Sequence, residues 1–96
     1  MSFNLEGSEP RFAAMARAMG LDVDGLPDRA AGKTMIDALY ALNKDLGIES
    51  RLRPFRVTDA DLDGLVEGAA KVTRLLDNNP RPMSKGEMRA IYAQLM

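Results

Sequence analysis

Apolar residues recur along most of this chain at the three-and-four spacing that lines one face of a helix. Phe12, Met15, Ala16 and Met19 follow Ser8-Glu9-Pro10 at i, i+3, i+4 and i+7. Ser8 is a candidate N-cap, Pro10 suits a first turn that needs no N–H, and Gly20 is a natural stop. A second helix is predicted from near Pro27 to Leu46, with Met35, Ile36, Leu39, Leu42 and Leu46 as its stripe. Gly47 ends it, and Gly32 weakens its start. Ile48 to Val57 reads as a turn region, where Pro54 directs Arg53 toward extended backbone. Thr58 with Asp61 three residues on resembles a capping box, with Asp in place of Glu. The third helix then carries Leu62, Leu65, Val66 and Ala69. Asp59, Asp61 and Asp63 crowd its first turn, where the helix dipole favours negative charge. Asp77-Asn78-Asn79-Pro80-Arg81-Pro82 breaks the pattern. Ser84 and Glu87 form a second capping box, followed by Met88, Ile91, Tyr92 and Leu95. The expected architecture is all-α: about four amphipathic helices forming a partial helical bundle, in a single domain over residues 1–96. No internal repeat, low-complexity segment or dividing linker is visible.

Composition agrees with helix. Ala, Leu and Met supply 32 residues, against 10 from Val, Ile and Thr, and strands would want more β-branched residues. A chain of 96 residues is one domain at most and buries only about 60–65% of its unfolded surface, so its stability is marginal unless a partner helps. There is no His, Cys or Trp. That removes thiolates, imidazole bases, Cys/His zinc sites and disulfides together. Thirteen basic against 14 acidic residues give a net charge of −1, which offers a nucleic acid no electrostatic footing. No apolar run approaches the ~20 residues that span a bilayer, and Met1 to Glu6 lacks the basic start and apolar stretch of a signal peptide. A cytoplasmic protein without nucleic-acid or membrane partners is expected.

Five features invite a chemical reading. Asp59-Ala60-Asp61-Leu62-Asp63-Gly64 matches the opening of a calcium loop, but the twelfth position, which must be a bidentate carboxylate, is Ala70. A helix start decorated with Asp accounts for it better. Arg51, Arg53 and Arg56 beside Phe55 could hold an anion. Without a glycine-rich loop, a solvated turn pairing with Asp59 and Asp61 is the simpler account. Asn78-Asn79-Pro80-Arg81-Pro82 reads as a stiff connector, with Arg81 as its one candidate contact for an anion or an interface. Tyr40 and Tyr92 lie on or beside apolar stripes, which favours core packing with the hydroxyl at the edge over proton transfer. The methionines, among them Met15, Met19, Met35 and Met88, sit mostly at core spacing, so filling a helical core is preferred to an adaptable binding surface. No constellation for covalent catalysis remains.

The tail from Asn78 through Pro80-Arg81-Pro82 to Ile91-Tyr92 resembles the C-terminal signature of the iron-containing (group III) alcohol dehydrogenase family. In that family an N-P-R-P segment leads into a last helix with a similar I-Y pair. Upstream, Phe3-Asn4 resembles the "FN" that closes a metal-binding helical stretch. Arg11 to Gly20 is similar to the following helix. Leu46-Gly47-Ile48 and Val57 to Leu62 fall in the family's order. Where many members carry a Cys-Thr pair before N-P-R-P, this chain has Leu75 and Leu76, so no polar contact toward a substrate cleft is inferred there.

The resemblance implies an enzyme with an α/β domain that binds NAD(P) and an all-helical domain that holds iron or zinc through one Asp and three His. This chain is similar only to the last part of the helical domain. Met1 falls where the full enzyme has an internal residue, and the family's His motifs would lie before it. No catalytic, cofactor-binding or metal-binding residue is therefore assigned, and the chain alone is expected to be inactive, with no cofactor of its own. Its expected partners are further copies of itself, through uncovered apolar stripes, or the missing N-terminal part of the enzyme. The other readings are a free-standing helical module that docks a protein through a Met- and Leu-rich groove, and an autonomous enzyme built from Asp, Glu, Arg and Tyr.

Overall fold

A computed structural model describes residues 1–96, which gather into two compact units, Met1–Glu49 and Ser50–Met96. The first unit holds α1 (Ser2–Leu5), α2 (Glu9–Ala18) and α3 (Asp28–Asp45). The second holds 3-10 turns at Arg53–Phe55 and Asp59–Asp61, then α4 (Leu62–Ala70), α5 (Thr73–Asp77) and α6 (Lys85–Gln94). The four long helices are those that the apolar periodicity predicts. The short α1 and α5 are additions, too brief to show a period.

Both long helices of the first unit stop in the same way. Gly20 and Gly47 take the left-handed conformation, φ 77° and 68°, which costs glycine nothing. The Leu21 N–H then donates to the Ala16 carbonyl, and the Ile48 N–H to the Asn43 carbonyl. Gly20 and Gly47 N–H donate to the Arg17 and Lys44 carbonyls, completing two Schellman caps. At the other end of α2, Ser8 is the cap residue, but its side chain makes no cap hydrogen bond. It is buried, while the Glu9 carboxylate reaches back to the Gly7 N–H at 3.1 Å.

The core of this unit joins Leu5, Phe12, Ala13, Ala16, Val23, Ala31, Met35 and Ile36, with Leu21 and Leu39 against it. Small residues make the meeting of α2 and α3 close. A Cβ on Gly32 would lie 2.9 Å from Phe12 Cβ and 2.6 Å from Leu5 Cδ1. That proximity turns the buried face of α2 toward Phe12, Ala13 and Ala16 and corrects the expected stripe. Met15 and Met19 stand exposed, at 39% and 45%. Of the methionines named from spacing, only Met35 and Met88 are core residues. On α3 the stripe fails at its far end. α3 has 18 residues against 10 in α2; its burial ends near Leu39, and Leu42 and Leu46 are exposed.

The second unit has a smaller core, with Leu62, Val66 and Met88 buried. α4 packs on α6, and two ion pairs cross between them: Asp63 Oδ1 to Arg89 Nε at 2.9 Å and Glu67 Oε1 to Lys85 Nζ at 2.9 Å. Such exposed pairs contribute at most about 1 kcal/mol each. The turn at Arg53 differs from expectation. Two successive i+3 hydrogen bonds, Phe55 N–H to Leu52 O and Arg56 N–H to Arg53 O, hold Arg53 in a 3-10 turn and override the extended preference set by Pro54.

Both predicted capping boxes form. Thr58 N–H and hydroxyl donate to Asp61 Oδ2, each at 2.8 Å. Ser84 N–H donates to Glu87 Oε2 at 2.7 Å, and Glu87 N–H returns to Ser84 Oγ at 3.2 Å. These bonds hold both carboxyls below the ordinary range, the backbone N–H first and the hydroxyl next; Arg81 adds a smaller charge effect at Glu87. A carboxyl with a depressed folded pKa contributes stability that is present above its unfolded pKa and lost as pH falls through its folded value. Urea midpoints for residues 50–96 should hold steady down to about pH 5 and decline below about pH 4. Glu87→Gln should make that decline shallower. A midpoint unchanged through the acid range would contradict the capping account.

Candidate functional site

The acidic motif disperses its carboxylates. Asp59 pairs with Arg53 Nη2 at 3.2 Å, Asp61 closes the Thr58 box, and Asp63 reaches Arg89. A calcium loop needs these groups converged on one point. Here the segment is a 3-10 turn that runs into α4, and Ala70 ends that helix. The motif is a helix start.

Arg51, Arg53 and Arg56 are exposed. Arg53 takes Asp59, whereas Asp61, the other expected partner, is committed to Thr58. Arg56 sits at φ 66° as the cap of the 3-10 turn. Phe55 beside them is also exposed, at 65%.

The Asn-Pro segment is a braced connector. Asn78 Nδ2 donates to the Arg74 carbonyl at 2.8 Å, and Asn79 Nδ2 spans Pro80 to the Arg81 carbonyl at 2.6 Å. Each Asn thus ties one flank of the break between α5 and α6. Leu75 is exposed and Leu76 half-buried.

One cleft of about 210 Å³, between α4 and α6, is lined by the paired charges Asp63, Glu67, Lys85 and Arg89 around Val66; the others are more apolar. In the first unit a groove of about 610 Å³ runs between α1 and α3, lined by Leu5, Ile36 and Tyr40 with Arg29, Lys33 and Asp37 along it. A neighbouring one of about 270 Å³ shares Ile36 and Tyr40 and reaches Met1 and Asn43. Tyr40, expected in the core, is 61% exposed there, because α3 turns it away from α2. In the second unit about 210 Å³ opens among Ala69, Leu76, Met83, Met88, Ile91 and Tyr92; Tyr92 is half-buried, as expected. Sequence reasoning missed the first groove because α1 was not foreseen. Met1, Phe3 and Leu5 recur at every second residue, which is not a helical period.

No three His, Cys, Asp or Glu stand close enough together to hold a metal, and the chain contains no His. The residues present therefore do not furnish the donors of a dehydrogenase metal centre. What the fold defines is a helical segment, closed by a braced Asn-Pro connector and a well-capped last helix.

Comparison with known proteins places this segment. The family model for the C-terminal part of the Fe-containing alcohol dehydrogenase family matches residues 1–96, and the chain belongs to that family. It is 34% identical over 92 residues to the 1,3-propanediol dehydrogenase of Klebsiella pneumoniae, covering 96% of this chain and 24% of that enzyme. It is 28% identical over 92 residues to the lactaldehyde reductase of Escherichia coli K12, covering 96% of this chain and again 24% of the relative. A crystal structure of 1,3-propanediol oxidoreductase superposes with a TM-score of 0.91 at 32% identity, covering 99% of this chain and 25% of that one. The chain thus spans about a quarter of the length of the curated relatives it matches. Its fold is that of the C-terminal helical domain of a dehydrogenase.

Proposed function

We propose that residues 1–96 act as one helical segment that completes the metal-bearing domain of an iron-type alcohol dehydrogenase and carry no catalysis alone. The observation behind this reading is that the whole chain aligns with only a quarter of its relatives. That quarter lacks His and any grouped metal donors. In such an enzyme the metal would polarise the alcohol or carbonyl oxygen while hydride moves to or from nicotinamide. This chain's own contribution is packing. α2 and α3 form one buried core, α4 and α6 another, and both present apolar grooves to further protein. The reading makes it a cytoplasmic protein whose partner is the rest of the enzyme. Purified chain, mixed with iron or zinc, NAD or NADP and 1,3-propanediol, should show no change in nicotinamide absorbance. Metal-dependent turnover by the chain alone would overturn the reading.

A further inference from the structure

Two methionines on α2 take no part in the core of the first unit. Met15 and Met19 stand at 39% and 45% exposure, whereas Met35 and Met88 are at 1% and 5%. Their i, i+4 spacing puts the two thioethers on one helical face, one turn apart. Ala14 and Ala18 beside them are exposed as well, and such small neighbours leave both sulfurs open to a reagent in water. With no Cys in the chain, thioethers are its only sulfur. We propose that Met15 and Met19 are a reversible oxidation site for peroxide on the outer face of α2. In each step the thioether sulfur attacks one peroxide oxygen. The S–O bond forms, the O–O bond breaks, and the far oxygen leaves with the near oxygen's proton as water. Sulfur gives up two electrons to become a sulfoxide, and the peroxide takes them. A sulfoxide is polar and disrupts a core, but this face accommodates it. Arg11, an exposed donor-only side chain, lies one turn before Met15 on the same face. The bonds that end α2 come from the backbone N–H groups of Met19, Gly20 and Leu21, so oxidation of either side chain breaks none of them.

The test treats the full chain with hydrogen peroxide and follows each methionine by peptide mass spectrometry. Met15 and Met19 should each gain one oxygen at a rate close to that of Met1, which is 56% exposed. They should react at least about tenfold faster than Met35 and Met88, whose oxidation waits on opening of a core. The chain carrying both sulfoxides should melt within about 4 °C of the unmodified chain, as for a change confined to the surface. Methionine sulfoxide reductases of the two epimer classes should together remove both oxygens from the folded chain. Met15 and Met19 reacting no faster than Met35 would overturn the assignment. So would a doubly oxidised chain that melts more than about 4 °C lower, or sulfoxides that the reductases reach only after unfolding.

Discussion

Met35→Ala should destabilise the first unit by about 2–5 kcal/mol, the range for truncating a long apolar side chain in a closed core. Met35 is the largest fully buried side chain, at 1% exposure, and sits within the cluster of Leu5, Phe12, Ala31 and Ile36. Its removal leaves a cavity that helices in contact can close only in part. Small domains have little stability to spare, so this loss approaches the whole for a chain of this size. Met15→Ala and Met19→Ala are the controls. Both residues are exposed, and alanine is the better helix former, so each should shift stability by less than about 0.5 kcal/mol. Urea titrations followed by circular dichroism distinguish them. Equal losses at Met15 and Met35 would mean that the buried face of α2 is the one spacing alone suggests.

Gly32→Ala should destabilise as well, although helix propensity argues the opposite. Alanine gains about 1 kcal/mol over glycine inside a helix. Against that, its Cβ would stand 2.6 Å from Leu5 Cδ1 and 2.9 Å from Phe12 Cβ. The Leu5 methyl can swing aside. Phe12 Cβ is bonded directly to the α2 backbone, so relief there requires α2 to move off α3. Overpacking of this kind costs about 1–3 kcal/mol, which meets or exceeds the propensity gain and leaves a net loss of up to about 2 kcal/mol. Gly64 and Gly68 in α4 have nothing within 4 Å of a built Cβ, so Gly64→Ala and Gly68→Ala should instead stabilise by up to about 1 kcal/mol. Adding Leu5→Ala to Gly32→Ala should recover only the part of the clash that Leu5 makes. A Gly32→Ala variant as stable as Gly64→Ala would show that α2 and α3 approach less closely than described.

Gly32 also shows where sequence reading reached its limit. In the sequence it is a weak point near a helix start. In the structure it is the reason that α2 meets α3 through Phe12, Ala13 and Ala16. Periodicity finds a helix and a stripe, but a shift of one residue in the contacting face depends on the facing helix. Met15 and Met19 changed status for that reason. Leu42 and Leu46 did so because α3 outruns the helix it packs on, and Tyr40 because it lies on the side of α3 turned away from α2. Local features were far more legible. The boxes at Thr58–Asp61 and Ser84–Glu87, the glycine stops at Gly20 and Gly47, and the bracing by Asn78 and Asn79 depend on neighbours in the chain, and each forms. The family was legible from Asn79-Pro80-Arg81-Pro82 and the last helix, since that order of residues is specific where a stripe is not. The α1–α3 groove was not legible, because α1 is a single turn whose packing only the tertiary structure reveals.

If this chain completes a larger dehydrogenase domain, the two should unfold as one cooperative unit. Calorimetry of a chimera in which this chain replaces the matched C-terminal quarter of the Klebsiella pneumoniae 1,3-propanediol dehydrogenase tests this without depending on catalysis. The part contributed by this chain should melt together with the rest in one cooperative transition, above the melting temperature of the isolated 96 residues. Two independent transitions, one coinciding with that of the isolated chain, would show that it folds beside the dehydrogenase rather than as part of it.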